Sequence, residues 1–180
     1  AQNSLLAKAD PVSVYQAAAV AATLDLPLNQ NLGFAYIIGY KSKQPDGTYK
    51  EVAQFQIGYK GFIQLAQRSG QFKTISAAPI YEGQLIEQNP LTGFVFDFSK
   101  KSETVIGYAA HFALLNGFEK TLFMTVDELK KHGSKFSQTF KKGYGLWKDD
   151  FDSMAQKTVI KLLLSKFAPL SVDMQRAVIT

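Results

Sequence analysis

The chain has 180 residues, 46% hydrophobic and 19% charged, a globular mixture at the size of one domain that argues against wholesale disorder, a collagen-like rod and a coiled-coil rod. No stretch approaches the ~20 consecutive apolar residues of a membrane span, and the lack of cysteine removes disulfides, thiolate nucleophiles and cysteine-based metal sites and fits a reducing compartment. A net charge of +5 hints at an anionic partner. Asp10-Pro11 reads as an N-cap with proline at the first helical position, and the Ala-rich run behind it predicts a helix over 11–26, closed by Pro27. From Gly33 the residues Phe34, Tyr36, Ile38 and Tyr40 alternate, Pro45-Asp46-Gly47 supplies a turn, and 52–59 returns. This is a β-hairpin over 33–59, expected as a protruding lobe with a basic tip. Residues 60–69 then form a short helix with Phe62, Ile63 and Ala66 on one side, stopped by Gly70.

Strands are expected at 74–81, 93–98, 105–115 and 118–125, the last two joined by Asn116-Gly117, a two-residue hairpin signal. Thr125 to Glu128 has capping-box spacing and starts a brief helix that Gly133 ends. A basic loop covers 134–145. From 149 to 167, Phe151, Met154, Ala155, Val159, Leu162, Leu163 and Phe167 repeat on one helical face. The fold class is α+β: an antiparallel sheet with a protruding β-hairpin, packed against a long C-terminal helix and a shorter central one. Residues 1–180 are read as a single domain, and Ala1, standing where an initiator Met would, as part of a longer chain.

Charge is unevenly spread. Residues 54–81 hold Lys60, Arg68 and Lys73 and no acid; 130–148 holds Lys130, Lys131, Lys135, Lys141, Lys142 and Lys148 and no acid; 82–129 between them is acidic, three basic residues against seven. Two acid-free basic stretches predict a localised positive face, the footprint of a phosphate-backbone binder, although a solvated, solubilising surface has the same composition. On the strand at 52–59, Gln54, Gln56 and Gly58 share a face that another backbone can approach. Lys60, Gln64 and Arg68, spaced i, i+4, i+8, give the next helix a positive stripe, which is also what an ordinary wet helix face offers. Lys141-Lys142-Gly143-Tyr144-Gly145-Leu146-Trp147-Lys148 mixes cations, glycines and the only tryptophan, as in segments that track a nucleic-acid backbone and stack on bases. The competing reading makes Trp147 a core anchor.

Asp149, Asp150 and Asp152 could hold Mg²⁺ for phosphoryl chemistry, but they fall at a predicted helix N-terminus, where carboxylates satisfy free N–H groups and the dipole. His111 and His132 have no metal-ligand spacing. There is no P-loop, dinucleotide fingerprint or nucleophile elbow. No catalytic residue, metal site or cofactor is therefore assigned.

Two blocks carry a family resemblance: Gln54-Phe55-Gln56-Ile57-Gly58-Tyr59-Lys60-Gly61-Phe62 running on to Gln67-Arg68-Ser69-Gly70, and Leu146-Trp147-Lys148-Asp149-Asp150-Phe151-Asp152 running on through Met154 to Ile160. In order and spacing they closely resemble the RecT family of phage single-strand DNA annealing proteins. The likeness covers almost the whole chain and is weakest at the Pro45 hairpin tip and in the strands between Glu82 and Asn116. The resemblance implies a non-enzymatic phage or prophage recombinase of the bacterial cytoplasm. Such a protein coats single-stranded DNA, pairs it with its complement without ATP, and assembles into rings or helical filaments. It further implies a small C-terminal domain, absent here, through which contacts with a phage exonuclease and a host single-strand binding protein are expected.

Annealing leaves base edges free, so phosphate contacts should dominate. Carried onto this sequence, the resemblance makes Lys60, Arg68, Lys73, Lys141, Lys142, Lys148, Lys157 and Lys161 phosphate candidates. Gln54, Gln56 and Tyr59 would line a groove whose other wall is the hairpin between Lys41 and Lys50, with Trp147 as the stacking candidate. The alternatives are a sequence-neutral protein that protects single strands without pairing them, a metal-dependent nuclease using Asp149 to Asp152, and a basic scaffold protein.

Overall fold

The computed structural model describes residues 4–143, 145–169 and 172–179. The chain divides into two compact units, residues 1–65 with 172–180 and residues 66–171, a division that composition does not reveal. The fold is α+β, as the sequence predicts.

The first unit opens with helices α1 (Ser4–Ala7) and α2 (Pro11–Leu24). Asp10 caps α2 by accepting from the Ser13 N–H at 3.1 Å, and Pro11 occupies the first turn, where no N–H is needed. The helix ends at Leu24 rather than 26, because Asp25 turns left-handed (φ 48°) and donates its N–H to the carbonyls of Ala21 and Ala22. Strands β1 (Ala35–Lys43) and β2 (Tyr49–Ile57) pair antiparallel without a register shift, from Ala35 opposite Ile57 to Lys43 opposite Tyr49. The start of α2 is stitched onto β2. Asp10 N–H donates to the Glu51 carbonyl at 2.8 Å, Ala53 N–H to Ser13 Oγ at 2.8 Å, and the Lys50 ammonium lies 2.9 Å from the Asp10 carboxylate. That ammonium and the Ser13 N–H hold the Asp10 carboxyl below its ordinary range.

Helix α3 (Tyr59–Arg68) follows β2 directly, and two glycines fix how it starts. A Cβ on Gly58 would fall inside contact distance of the Gly33 carbonyl, and one on Gly61 would do the same at Phe34; Gly58 N–H donates to the Phe34 carbonyl at 2.8 Å. At Gly58 the backbone approach that the sequence reading left to a partner is thus made by the chain's own residues 33–34, while Gln54 of the same predicted face stays exposed.

In the second unit, strands β3 (Phe72–Tyr81), β6 (Val105–Leu114) and β7 (Glu119–Thr125) form a sheet in the order β3-β6-β7, antiparallel throughout. Strands β4 (Leu85–Asn89) and β5 (Gly93–Phe96) make a separate two-stranded hairpin. This corrects the expected four-stranded sheet. β4 escaped sequence reading because Glu87, Gln88 and Asn89 leave it only two apolar residues, and β5 stops two residues short of 98. Leu85, Phe94 and Phe96 of the hairpin pack against Ile80, Ala109 and Phe123 on one sheet face. On the other face lie the buried Tyr108, Ala110 and Phe112. With both faces covered, β6 is apolar at consecutive positions instead of alternating.

Helix α4 (Val126–Phe136) has the predicted capping box: Glu128 N–H donates to Thr125 Oγ1 at 3.2 Å and Thr125 N–H to Glu128 Oε2 at 2.8 Å. It runs through Gly133 rather than ending there. Gly133 is buried in the helix, and a Cβ would sit 2.9 Å from Phe140 Cδ2, so this glycine makes room for a ring. The expected loop contains helix α5 (Gln138–Lys141), and helix α6 (Leu146–Asp149) follows it. The long helix α7 spans Phe151–Phe167 and does not include Asp149; the non-helical backbone of Asp150 (φ −146°, ψ 71°) separates it from α6, and the Asp150 carboxylate accepts from the Ser153 N–H at 3.2 Å. α7 packs across β3, β6 and β7. Helix α8 (Val172–Ile179) returns to the first unit, with Ala177 buried.

Gly58→Ala should lower stability by about 1–3 kcal/mol, the range for forcing a methyl into a closed contact. The change should read as a lower urea midpoint at an unchanged slope.

Candidate nucleic-acid interface

A run of edge-on aromatic contacts positions the basic segment before α7. Phe140 meets Trp147 at 5.7 Å between ring centres, Trp147 meets Phe151 at 5.6 Å, and Phe151 meets Tyr108 of β6 at 5.9 Å. Tyr108 Oη donates to the Asp152 carboxylate, and burial together with that charge raises the Tyr108 hydroxyl pKa far above its ordinary value. Trp147 is 7% exposed. This corrects its assignment as a base-stacking platform: the indole is a core anchor joining α6 to α7. Lys141, Lys142 and Lys148 are exposed around it. Tyr144 of the same segment lies outside the described residues.

In the first unit, Gln54 is exposed and Gln56 half-buried on β2, opposite Ile38 and Tyr36 of β1. Tyr59 is half-buried and Lys60 exposed at the start of α3. Gln64 and the exposed Arg68 continue the stripe along the same helix, and Lys73 is exposed on β3. Gln54, Gln56, Tyr59 and Lys60 thus fall in the first unit, and Arg68, Lys73 and the candidates from 141 to 161 in the second.

A second group in the latter unit is built on α7. Its buried residues, Ala155, Thr158, Val159, Ile160, Leu163 and Leu164, cover about 240° of the circumference at 100° per residue. So wide an arc draws in its flanks, and Lys157 and Lys161, one turn apart, are half-buried. No hydrogen bond or ion pair within the described residues engages the Lys157 ammonium. Desolvation, and secondarily the charge of Lys161, push it down to about 8. Burial also lowers Lys161. His132 on α4 is lowered by burial, then by Lys161 and Lys135; its ring lies 4.6 Å from that of Phe136. Lys135 Nζ is 5.2 Å from the Phe136 ring centre, and Phe136 is 67% exposed. Sequence reading missed His132, Lys135 and Phe136 as a group because it ended the helix at Gly133. The i, i+4 spacing of His132 and Phe136 across that glycine was the available signal.

The remaining candidates have structural partners. Asp150 caps α7, Asp152 accepts from Tyr108, and His111 Nδ1 lies 2.9 Å from Thr121 Oγ1. Among the described residues, no three His, Cys, Asp or Glu side chains gather as metal ligands, and no helix is long and apolar enough to cross a membrane.

Comparison with known proteins gives one family and two relatives. The RecT family model matches residues 1–180. An uncharacterized Bacillus subtilis (strain 168) protein, YqaK, is 53% identical over 179 residues, covering 98% of this chain and 58% of YqaK. Protein RecT of Escherichia coli (strain K12) is 29% identical over 185 residues, covering 96% of this chain and 64% of that protein. The chain therefore spans less than two thirds of the length of either relative.

The Lys157 site has a stability signature. Its folded-state pKa, about 8, lies below the ordinary 10.5, so between these values the unfolded chain binds more protons and stability should rise with pH. Lys157→Met should remove that rise in urea melts and add on the order of 1 kcal/mol at neutral pH, where the wild-type chain holds a desolvated charge.

Proposed function

The chain belongs to the RecT family, and from that premise we propose that it binds single-stranded DNA through its phosphates and anneals it to a complementary strand. The observation that carries this reading is the pair of half-buried lysines on α7, Lys157 and Lys161, which lack carboxylate partners among the described residues. A desolvated cation is costly unless an anion completes it, and the ligand that membership of the RecT family implies for this chain, single-stranded DNA, is a polyanion. Lys141, Lys142 and Lys148 extend the positive surface, and Lys60, Arg68 and Lys73 add a second set.

Phe136, exposed beside Lys135 and His132, is the aromatic we assign to base stacking in place of Trp147; such a contact contributes about 1–3 kcal/mol per base. Contacts to phosphates leave the Watson–Crick edges free for a second strand. One chain neutralises only a handful of phosphates, so presenting many bases in register calls for several copies side by side, in a ring or filament. The pairing of bases and the added phosphates of the second strand then favour the product without nucleotide hydrolysis. The aspartates at 149–152 are read as helix-end residues, since Asp150 and Asp152 already have partners, and the reading includes neither a nuclease step nor a cofactor.

Affinity for a single-stranded oligonucleotide should fall linearly in log salt, with a slope of about 0.7 per phosphate neutralised. Lys60→Ala and Lys142→Ala should each weaken binding to all sequences alike while leaving thermal melts unchanged. Annealing of complementary oligonucleotides, followed by fluorescence quenching, should persist in EDTA without nucleotide; its loss by folded protein would refute the mechanism. Asp150→Ala should cost about 0.5–2 kcal/mol of stability through the lost cap and leave annealing by the folded fraction intact.

A further inference from the structure

We propose that the outward face of the β4–β5 hairpin is a docking site for a second copy of this chain, and that it receives the tip of that copy's β1–β2 hairpin, with Glu87 and Val95 of one chain meeting Lys43 and Tyr49 of the other. The proposal rests on the reading above that several copies sit side by side, and it names the contact that this reading leaves open.

The receiving surface follows from how β4 and β5 pair. Phe94 and Phe96 turn inward onto Ile80, Ala109 and Phe123, so Val95 between them turns outward, and the register sets Glu87 opposite Val95. The register shift between Leu85 and Glu87 makes Ile86 the extra residue of a bulge, and the Phe98 ring stacks on Phe96 at 5.6 Å between centres. Ile86, Val95 and Phe98 are each at least half exposed. Apolar side chains bared together on one short hairpin mark a contact surface, and charge decides what it contacts. Residues 82–104 hold Glu82, Glu87, Asp97 and Glu103 against Lys100 and Lys101. The Asp97 carboxylate is engaged by Ser99, whereas Glu87 is exposed and no ion pair among the described residues holds it. A nucleic-acid strand is repelled here, and a partner that is basic and apolar at once is attracted.

The chain itself carries such a surface. Lys43 stands opposite Tyr49 near the turn of the β1–β2 hairpin, which puts the two side chains on one face, and Tyr49 is 66% exposed. Lys50 is paired with Asp10, and the Asp46 carboxylate in the turn accepts from the Thr48 N–H at 2.9 Å. Lys41, on the same face, has the half-buried Glu51 opposite it, so Lys43 is the cation of this face with no acid across from it. The other acid-free basic stretch, 130–148, is assigned above to phosphates and bases, and a contact made through the hairpin tip leaves it free for the strand. Two copies that joined through the same patch would set Glu87 against Glu87. The contact is therefore head to tail, and such a contact repeats from copy to copy instead of closing on a pair.

The experiment measures particle mass by light scattering over a range of chain concentrations, with and without a long thymidylate strand. Glu87→Lys and Lys43→Glu should each raise the concentration at which assemblies form by roughly threefold to thirtyfold, as one exposed attraction becomes a repulsion. Tyr49→Ala should raise it by about tenfold or more, as for a central interface aromatic. Mixing Glu87→Lys chains with Lys43→Glu chains in equal amounts should restore assembly, because in alternating order every contact again pairs opposite charges, and so should both changes in one chain. Each substitution is at an exposed side chain, and thermal melts check that the variants fold; should one reversal not fold, Tyr49→Ala and the other reversal decide. Assembly that ignores these substitutions would overturn the contact while leaving the side-by-side reading intact. Recovery in the doubly changed chain without recovery on mixing would also overturn it, since the contact would then lie inside one chain. A wild-type chain that binds a short oligonucleotide yet stays monomeric on the long strand would remove the side-by-side reading and this contact with it.

Discussion

The second unit depends on a single buried indole. Trp147 sits between Phe140 and Phe151, and Phe151 leans on Tyr108 of the central strand, so the segment from α5 to α7 is tied to the sheet through edge-on rings. Gly133 belongs to the same arrangement, since only a residue without a side chain leaves space for Phe140 against α4. Rings meeting edge to face have strong directional preferences, which gives a short, glycine-containing segment a defined course. The lysines at 141, 142 and 148 are thereby presented from a fixed base while their ammonium groups stay in water.

The same helix that completes this core carries the group most at odds with it. α7 needs a broad apolar face because three strands lie beneath it, and the breadth of that face leaves Lys157 without full hydration. A methionine would fit the packing better. A cation kept there is stored electrostatic tension that a polyanion relieves, which ties the binding surface to the core more closely than exposed lysines would. Stability and binding accordingly pull on Lys157 in opposite directions.

Where local chemistry settles the backbone, the sequence was legible. The Asp10-Pro11 start, the Thr125 to Glu128 box and the paired strands around Pro45-Asp46-Gly47 all appear as read, because each is decided by hydrogen bonds within a few residues. What was illegible depended on distant partners. Gly133 looks like a helix stop until Phe140 is placed beside it, Gly58 looks like an open face until residues 33–34 close on it, and Trp147 looks like a stacking surface until Phe140 and Phe151 enclose it. β4 was hidden by its polar composition and is held by β5. For the site, residue types and the basic stretches could be read from spacing. The partial burial of Lys157, and the grouping of His132 and Phe136, required knowing which helix faces are covered.

The placement of the last two helices bears on how the protein is made. α7 packs on strands that begin about 30 to 80 positions before it in the sequence, and α8 belongs with residues 1–65. As the chain leaves the ribosome, the hairpin of β1 and β2 can form early, because its contacts are local. The three-stranded sheet must wait for α7 with one apolar face bare, and the first unit waits longer still for α8. Neither body is finished until residues 151–179 have emerged, so the nascent chain keeps apolar surface bare long after its first strands are made.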